Sequence, residues 1–538
     1  MAGVSPVFRN ATVFDGHAYL GAVGDVVVDG GRVVALGEDV APVGATVVDV
    51  AGGLLLPGFT DAHVHPIQGG IERLACDLSE VPVDRAAYLV HIGDYVAAHP
   101  ELAWVQGGGW AMAAFPGGLP TAAELDAVAP DRPVALVNRD HHGMWANSRA
   151  LALAGITAAT PDPEHGRIER DPDGSPTGVL HEGAMDLLAG VLPAADDALM
   201  HAGFLEGQRH LLSLGITSWQ DAIVGAYSGM RDAGPTYARA AANGDLVATV
   251  VGALWWERDR GIEQVADMVA KRAEWSRGRF SATAVKIMQD GVAENGTAAL
   301  VEPYLDRCGH ATRNSGISFV DPARLPSYVA ELDAQGFQVH FHGLGDRGVR
   351  EALDALEGTD PVRRHHVAHL QLVHPDDVPR FGRLGVAANI QALWACLDEQ
   401  MTELTMPFLG AERAGRQYPF ADLHASGARL VAGSDWPVST PDPLAAIHTA
   451  VHRTSYGEPG PAGTDPFLPE QALPIEVAFA ACTSGSAWVN HRDDAGTVSA
   501  GSVADLVVLD TDPFQTPEDI GAARVRSTWI AGEPVFEA

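Results

Sequence analysis

Residues 54–66 read LLLPGFTDAHVHP, an apolar run that ends in two histidines separated by one residue. In an extended strand, side chains two positions apart lie on the same face, so His63 and His65 can direct their imidazoles at one point. Convergent imidazoles are typical of a metal site. The pair alone is weak support, because about one His-x-His is expected by chance in a chain with 22 histidines among 538 residues. A second His-x-His occurs at residues 340–342, so the position of each pair in the fold must show whether it belongs to a metal site.

This segment precedes a series of apolar strands that alternate with helical patterns, which is typical of parallel βα units. Eight such strands are predicted, the number that closes a (β/α)8 TIM barrel. The first ends at His63, and the others cover residues 215–221, 248–254, 282–288, 337–342, 365–369, 386–390 and 429–435.

Short β-type runs at both ends of the chain are too few at either end to form a stable sheet. We expect residues 1–56 and 485–538 to pair into one small β-sandwich domain beside a barrel of residues 57–484. The interval 66–214 is too long for a barrel loop. It predicts an inserted subdomain after the first barrel strand, at the carboxyl face of the barrel, where substrate recognition is expected.

The composition limits the possible partners. The net charge is −34, with 69 acidic and 35 basic residues, which argues against nucleic acid and anionic membranes because phosphate binding depends on Lys and Arg. The four cysteines are scattered and suggest neither a disulfide framework nor a thiolate zinc site. No signal peptide and no apolar run of about 18 residues is found, which predicts a cytoplasmic protein. The expected partner is a small molecule.

Side chains that can bind a metal stand at the carboxyl ends of five of the predicted strands. Barrel active sites are built from such strand ends, so we expect these side chains to converge. Taken singly, each also has a structural interpretation, since a histidine can cap a strand and an aspartate can begin a helix as its N-cap. The candidates are His63 and His65 on the first strand, Lys286 on the fourth, His342 on the fifth, His369 on the sixth and Asp435 on the eighth.

Alternatives remain open at three of these positions. As a free ammonium, Lys286 is costly to bury and cannot bind a cation, whereas the carbamate formed with carbon dioxide is a carboxylate that can bridge two metals. His340 competes with His342, either as a satisfied core histidine or as a residue deeper in the barrel. The pair at residues 365–366 competes with His369 and is expected to be structural or on the surface.

Together, these strand ends resemble the amidohydrolase superfamily of metal-dependent hydrolases, and the resemblance extends over essentially the whole chain. The motifs that carry it are PGFTDAHVH (57–65), VK (285–286), HGLGDR (342–347), HLQ (369–371), GSD (433–435) and ADLVVL (504–509). Within the superfamily, the chain is most similar to the branch that contains the N-substituted formamide deformylases. That similarity rests on GW (109–110), PTAAELD (120–126), PDRPV (130–134), NSRAL (147–151), PTGVLHE (176–182) and VKIMQDG (285–291).

The resemblance implies a centre of one or two divalent metal ions. Zinc suits such nitrogen-rich sites, with Fe or Mn as alternatives. The resemblance also implies a possible homodimer, because acidic barrels of this type are commonly homodimeric. The implied ligands are His63, His65 and Asp435 on the first ion, a carbamylated Lys286 shared by both ions, and His342 and His369 on the second.

The resemblance also implies residues that contact the substrate. Where relatives have Asp-Gly-His, residues 140–143 of this chain read DHHG, so either His141 or His142 can contact the substrate oxygen. The other residues predicted to contact substrate are Trp110, Glu182 and Asp290. Eight aromatic residues lie near predicted strand ends or in the insertion, and a few are expected to line an apolar pocket: Trp104, Trp110, Phe115, Trp145, Trp219, Trp255, Trp256 and Trp394.

The chemistry expected of such a site is hydrolysis. A metal lowers the pKa of bound water to about 7, which makes hydroxide available near neutrality. We expect this hydroxide to attack a carbonyl polarised by His142, while Asp435 moves the proton to the leaving nitrogen. The expected reaction is cleavage of a C–N bond in a linear amide or N-substituted formamide. Hydrolysis of a cyclic amide, lactam or imidazolone, an aminohydrolase (deaminase) activity, and a non-catalytic scaffold are the alternatives.

Overall fold

The computed structural model of the protein describes residues 6–163, 166–227, 230–457 and 465–538. Its strands fall into three sheets, which belong to the chain ends, the insertion and the barrel. In chain order the strands are β1 (Pro6–Phe14), β2 (Tyr19–Asp29), β3 (Arg32–Gly37), β4 (Thr46–Asp49), β5 (Leu54–Pro57), β6 (Phe59–Val64), β7 (Cys76–Asp77), β8 (Val105–Trp110), β9 (Val134–Asn138), β10 (Gly143–Ala146), β11 (Gly166–Arg170), β12 (Pro176–Glu182), β13 (Ile216–Val224), β14 (Thr249–Trp255), β15 (Phe280–Met288), β16 (Gln338–Gly343), β17 (His366–His369), β18 (Ala387–Ile390), β19 (Leu430–Ala432), β20 (Leu506–Leu509), β21 (Val525–Ile530) and β22 (Glu533–Glu537).

Helices connect the barrel strands, as expected for parallel βα units. Two further segments, Gln400–Thr405 and Ala481–Gly485, are π-helical. No helix among the described residues is both long and apolar enough to cross a lipid bilayer. The α-helices are α1 (Pro66–Arg73), α2 (Arg85–Ala98), α3 (Ala122–Val128), α4 (Ser148–Leu153), α5 (Asp186–Ala189), α6 (Asp197–Ser213), α7 (Gly234–Asn243), α8 (Gln264–Trp275), α9 (Leu325–Ala334), α10 (Asp346–Ala355), α11 (Val378–Leu384), α12 (Met406–Leu409), α13 (Ala411–Ala414), α14 (Phe420–Ala425), α15 (Pro443–His452), α16 (Ile475–Ala480) and α17 (Ser486–Val489).

Eight strands form one parallel sheet in the order β6-β13-β14-β15-β16-β17-β18-β19. Just beyond β19 the chain returns to the first strand. There the backbone N–H of Asp435 donates to His63 O at 2.7 Å, and that of His65 donates to Trp436 O at 2.8 Å. The sheet therefore closes at its carboxyl end, and the predicted eight-stranded TIM barrel is confirmed.

Alternate residues of each barrel strand face the helices and the barrel axis. On β16, Val339 and Phe341 lie in the large apolar core beneath the helices, whereas His340 and His342 face inward and contact other polar side chains. Branched apolar residues commonly fill a TIM-barrel interior. In this barrel, buried polar residues take several of those positions: Gln220, Gln338, His340, His366 and Asn389.

Both chain ends build the second sheet, in the order β22-β21-β20-β5-β1-β2-β3, with β4 paired to β1. Two strands separate β21 from β1, which would place them about 14 Å apart in a flat sheet. The rings of Phe8 on β1 and Trp529 on β21 are nevertheless only 5.2 Å apart. The sheet therefore folds over a shared apolar core. The predicted β-domain from both termini is confirmed, and its layers belong to one continuous sheet.

The insertion between β6 and β13 carries the third sheet, in the order β11-β12-β10-β9-β8-β7. Its core is aromatic, because the rings of Trp110, Phe115 and Trp145 lie 5.1 to 5.9 Å from one another. Helix α6 leads back to the barrel and packs closely on α1. This contact requires Gly207, where a Cβ would lie 2.1 Å from the carbonyl oxygen of Pro66.

Candidate metal centre

A cavity of about 520 Å³ opens at the carboxyl ends of the barrel strands, between the barrel and the insertion. In TIM barrels this is the usual place of the active site. The insertion contributes His141 and His142 to its wall. All six predicted metal ligands line the same cavity: His63, His65, Lys286, His342, His369 and Asp435.

The first barrel strand brings its two histidines to one side, with ring centroids 5.4 Å apart. Asp435 follows β19, and its Oδ1 lies 3.1 Å from His63 Nε2 and 3.0 Å from His65 Nε2. Burial by itself raises the pKa of Asp435, but the adjacent imidazoles outweigh this and hold that pKa well below its ordinary value. The carboxylate is therefore ionised among buried rings.

Two of the predicted ligands have a left-handed backbone, with φ of 81° at His369 and 56° at Asp435. Residues other than glycine rarely adopt this conformation, which costs about 1–3 kcal/mol and persists only where neighbouring groups hold it. The backbone N–H of His369 donates to Gln391 Oε1 at 2.6 Å, and that of Asp435 donates to His63 O. These bonds hold the turns that direct both side chains into the cavity.

The donor atoms at the base of the cavity fit a divalent cation. His63, His369 and Asp435 each offer one donor atom, and these atoms lie within 4.8 Å of one another. Both ring nitrogens of His369 and Nδ1 of His65 are buried with no hydrogen-bond partner among the described residues, and each such atom costs about 1–3 kcal/mol. Burial lowers the pKa of His63 to about 3 and that of His369 well below its ordinary value. Both rings are therefore neutral, the form that binds metal.

Lys286 lies two residues before the end of β15, beside this group, with Nζ 3.4 Å from His63 Nε2. Its side chain is buried, and burial lowers the pKa of its ammonium to about 7. A large share of the amine is therefore neutral near pH 7, the form that reacts with carbon dioxide. Lys286 is also one of only two lysines in the chain, the other being Lys271.

Two histidines of the insertion reach the cavity, and each pairs with a carboxylate. His141 Nε2 lies 2.8 Å from Glu72 Oε1, and His142 Nδ1 lies 3.0 Å from both oxygens of Glu182. The His142 ring is also 6.1 Å from the ring of His342. Burial alone lowers the pKa of His142, but the charge of Glu182 outweighs this and raises it to about 9. His142 is therefore an imidazolium at neutral pH, beside one of the predicted ligands.

The family model described as "Amidohydrolase family" matches residues 46–536, which is most of the chain. The chain belongs to the amidohydrolase family. Membership makes it a hydrolase, as its sequence motifs predict.

Relatives of this amidohydrolase match it along nearly their whole length. Protein LONG AFTER FAR-RED 3 of Arabidopsis thaliana is 28% identical over 551 residues, covering 98% of this chain and 91% of the relative. The N-substituted formamide deformylase of Arthrobacter pascens is 28% identical over 549 residues, covering 95% and 94%. Among solved structures, an uncharacterized metal-dependent hydrolase from Pyrococcus horikoshii OT3 has a TM-score of 0.73 at 24% identity, over 95% of this chain and 98% of its own. That likeness shows the fold.

Three residues predicted to contact the amidohydrolase's substrate do not line the cavity, and one of them, Glu182, binds His142 Nδ1 instead. Trp110 is fully buried in the insertion, where its Nε1 donates to Leu136 O at 2.9 Å. Asp290 is fully buried behind His342, with Oδ1 3.2 Å from His342 Nδ1, and it accepts three backbone N–H groups. All three predictions are corrected, because Trp110 is a core residue, Asp290 orients a predicted ligand and Glu182 orients His142.

Of the eight aromatic residues expected near the site, Trp255 and Trp394 line the amidohydrolase's cavity. Trp394 stacks on His369, with ring centroids 5.3 Å apart and planes 8° apart. Trp436, next to Asp435, also lines the cavity but was not among the residues expected there. The others pack in or against apolar cores: Trp104, Trp110, Phe115, Trp145, Trp219 and Trp256.

Sequence reasoning missed a buried polar layer beneath the predicted ligands. His340 lies deeper in the barrel, one of the alternatives left open, with Nε2 2.9 Å from His63 Nδ1. His366 faces the barrel axis and is fully buried, so it is not a surface residue. No motif singled out Gln220. The alternation of polar and apolar residues in QVHFH (338–342) was the available signal, since it puts three polar side chains on one inward face.

Proposed function

We propose that this amidohydrolase cleaves the C–N bond of a small amide, either a linear amide or an N-substituted formamide. The observation that carries the proposal is an ionised Asp435 among neutral, buried imidazoles at the base of a large cavity that the imidazolium of His142 also lines. The relation to the N-substituted formamide deformylase of Arthrobacter pascens supports the amide class.

The proposed cofactor is zinc, one or two ions, because zinc favours nitrogen-rich donor sets. When bound, the metal would polarise the substrate carbonyl and lower the pKa of water. The lowered pKa of the Lys286 ammonium supports its carbamylation. The residues proposed to hold the metal are His63, His65 and Asp435 for one ion, His342 and His369 for a second, and carbamylated Lys286 between them.

Asp435 is the proposed proton carrier. Its carboxylate is ionised at neutral pH and lines the cavity, so it can accept the proton of the attacking water. It then gives this proton to the amide nitrogen, because an unprotonated nitrogen would leave as a strongly basic anion. The products are a carboxylic acid, formic acid in the case of a formamide, and an amine.

His142 is the proposed partner of the substrate oxygen. Its Nδ1 is held by Glu182, so Nε2 is the donor that remains for a carbonyl oxygen acquiring negative charge. Glu182 is held in turn by Thr297, whose Oγ1 donates to Glu182 Oε1 at 2.9 Å. Charge and orientation at His142 therefore both depend on Glu182.

Glu182→Gln is expected to move the alkaline limb of the kcat/KM profile to lower pH. The pKa of His142 is about 9, so its active cation is present below that pH and is lost as pH rises through it. A neutral amide at position 182 can still accept a hydrogen bond from Nδ1 but supplies no charge. We therefore expect the pH at which the alkaline limb begins to be lower by about 1–2 units. Glu169→Gln is the matched control, because Glu169 pairs with His181 elsewhere in the insertion. An unchanged limb in Glu182→Gln would refute the role of His142.

The amide class is tested with N-benzylformamide, a linear N-acyl amine, a polar lactam and an amino-substituted heterocycle. Trp255 and Trp394 line the cavity and offer apolar surface to an N-substituent. We therefore expect the highest kcat/KM with N-benzylformamide or the linear amide, measured by amine release together with acid release. Equal or faster opening of the lactam, or release of ammonia from the heterocycle, would favour ring opening or deamination instead.

A further inference from the structure

A line of hydrogen-bonded side chains runs through the barrel interior below the cavity, from Gln338 through Gln220 and His340 to His63. None of the four is more than 3% exposed. We propose that this line, the relay, fixes the tautomer of His63 and thereby presents the Nε2 lone pair of that ring to the metal. The inference rests on the proposed function only in that His63 binds a metal.

Two main-chain carbonyls set the direction of the relay. Gln338 Nε2 lies 2.8 Å from Arg364 O and 2.7 Å from Val489 O. A carbonyl oxygen only accepts hydrogen bonds, so the amide nitrogen of Gln338 must lie on this side. A flipped amide would place its own oxygen against both carbonyl oxygens. Gln338 Oε1 is therefore an acceptor on the opposite side.

Gln220 continues the same order of donors and acceptors. Its Nε2 lies 2.9 Å from Gln338 Oε1 and 3.0 Å from Asn490 Oδ1, so the two amide hydrogens are used there. Gln220 Oε1 is left to accept, and it lies 2.7 Å from His340 Nδ1 and 3.0 Å from His366 Nε2. Both of these ring nitrogens must therefore carry a proton.

A side branch gives an independent check on this assignment. Asn389 Nδ2 lies 3.0 Å from Ala62 O, which makes it a donor, and it also lies 3.1 Å from His366 Nδ1. That ring nitrogen must then accept, so the neutral ring of His366 carries its proton on Nε2. Gln220 requires the same tautomer of His366. The two assignments are independent, because this one starts from the carbonyl of Ala62 and the other from those of Arg364 and Val489.

The last step reaches the metal ligand. Among the described residues no carboxylate pairs with His340, so its ring is neutral and the proton on Nδ1 leaves Nε2 as an acceptor. His340 Nε2 lies 2.9 Å from His63 Nδ1, which must donate. His63 Nε2 then has a lone pair that faces Asp435 Oδ1 at 3.1 Å. A cation held between these two acceptors would offset their mutual repulsion.

The relay explains why so many polar groups are buried under one ligand. A metal-binding histidine usually donates its other N–H to a carboxylate, a carbonyl or water, which are permanent acceptors. Here the acceptor is another histidine, which accepts only while its own proton is held on the far nitrogen. Gln220 holds that proton, and Gln338 keeps Gln220 from flipping. Both are positioning residues for His63.

The test measures Zn²⁺ affinity of the metal-free protein by competition with a chromophoric chelator. His340→Met fills a similar volume but removes the acceptor, so we expect zinc to bind about 10- to 100-fold more weakly. His340→Gln keeps an acceptor towards His63 and a donor towards Gln220, so we expect affinity within about threefold of wild type. The melting temperature of each metal-free protein reports packing separately.

Ser218→Ala is the matched control, because Ser218 lies two residues before Gln220 on β13 and its buried Oγ has no hydrogen-bond partner among the described residues. We expect it to bind zinc like wild type. Equal affinity in all four proteins, or equal losses in both His340 variants, would overturn the relay and leave the proposed function standing. A wild-type protein that binds no divalent metal would overturn both. If His340→Met does not fold, His340→Gln is decisive by itself. A zinc affinity within about threefold of wild type supports the relay, and a larger loss overturns it.

Discussion

Asp435→Asn is expected to lower kcat/KM for the preferred amide by about 10³-fold, within the range of about 10²–10⁴ associated with general acid–base groups. Asparagine has nearly the same shape but cannot accept a proton from water. It also tolerates the left-handed backbone with φ of 56° at this position, so the turn after β19 is retained. The measurements are steady-state kinetics with amine detection, together with metal content and melting temperature.

The matched control for this variant is Asp398→Asn, which also neutralises a carboxylate in the cavity wall. Asp398 Oδ1 accepts the backbone N–H of Met401, and the amide oxygen of asparagine can do the same. We expect less than a tenfold loss, about 1.4 kcal/mol, in this control. Full activity of Asp435→Asn would refute the proton-carrier role, and equal losses in both variants would point to the charge of the cavity as a whole.

Lys286→Ala is expected to lower the metal content from about two ions per chain to one or none, and to abolish amide hydrolysis. The reason is that Lys286 lies beside His63 and, as the proposed carbamate, would supply a carboxylate to both ions. Elemental analysis of protein purified without chelator gives the content. Dialysis against a chelator followed by zinc addition should remove and restore activity in wild type.

The chain offers an unusually clean control, because Lys271 is its only other lysine and pairs with Asp232 at 2.9 Å on helix α8. Lys271→Ala should keep its metal and its activity. With ¹³C-labelled bicarbonate, we expect one carbamate resonance in wild type and in Lys271→Ala, and none in Lys286→Ala. One metal ion per chain, unchanged in Lys286→Ala, would mean a mononuclear enzyme in which Lys286 is structural.

Much of the fold could be predicted because it is encoded locally. The alternation of apolar strands with helical patterns revealed all eight barrel strands, and the two histidines at the end of β6 marked the carboxyl face. The six candidate ligands were visible for the same reason, since each stands at the end of an apolar strand. Topology then brings strand ends together without further information.

Residues whose roles depend on neighbours distant in the chain were harder to place. Trp110 was expected to contact substrate, yet it packs against Phe115 and Trp145 inside the insertion. Asp290 follows β15 and was expected in the cavity, but the turn after β16 supplies backbone N–H groups that draw its carboxylate behind His342. Strand periodicity does not indicate which side of such a turn a carboxylate occupies.

The sequence by itself determined the barrel, the β-domain built from both termini and the family, and it supplied the set of candidate metal ligands. Only the tertiary structure gave the hydrogen-bond partners from which we infer which nitrogen of each buried ring carries the proton. Those partners depend on register across the barrel, which places Gln220 of β13 against Gln338 of β16 and His340 against His63 of β6. Hydrogen bonds have a direction, and among these buried side chains we infer that direction from main-chain carbonyls far away in the sequence.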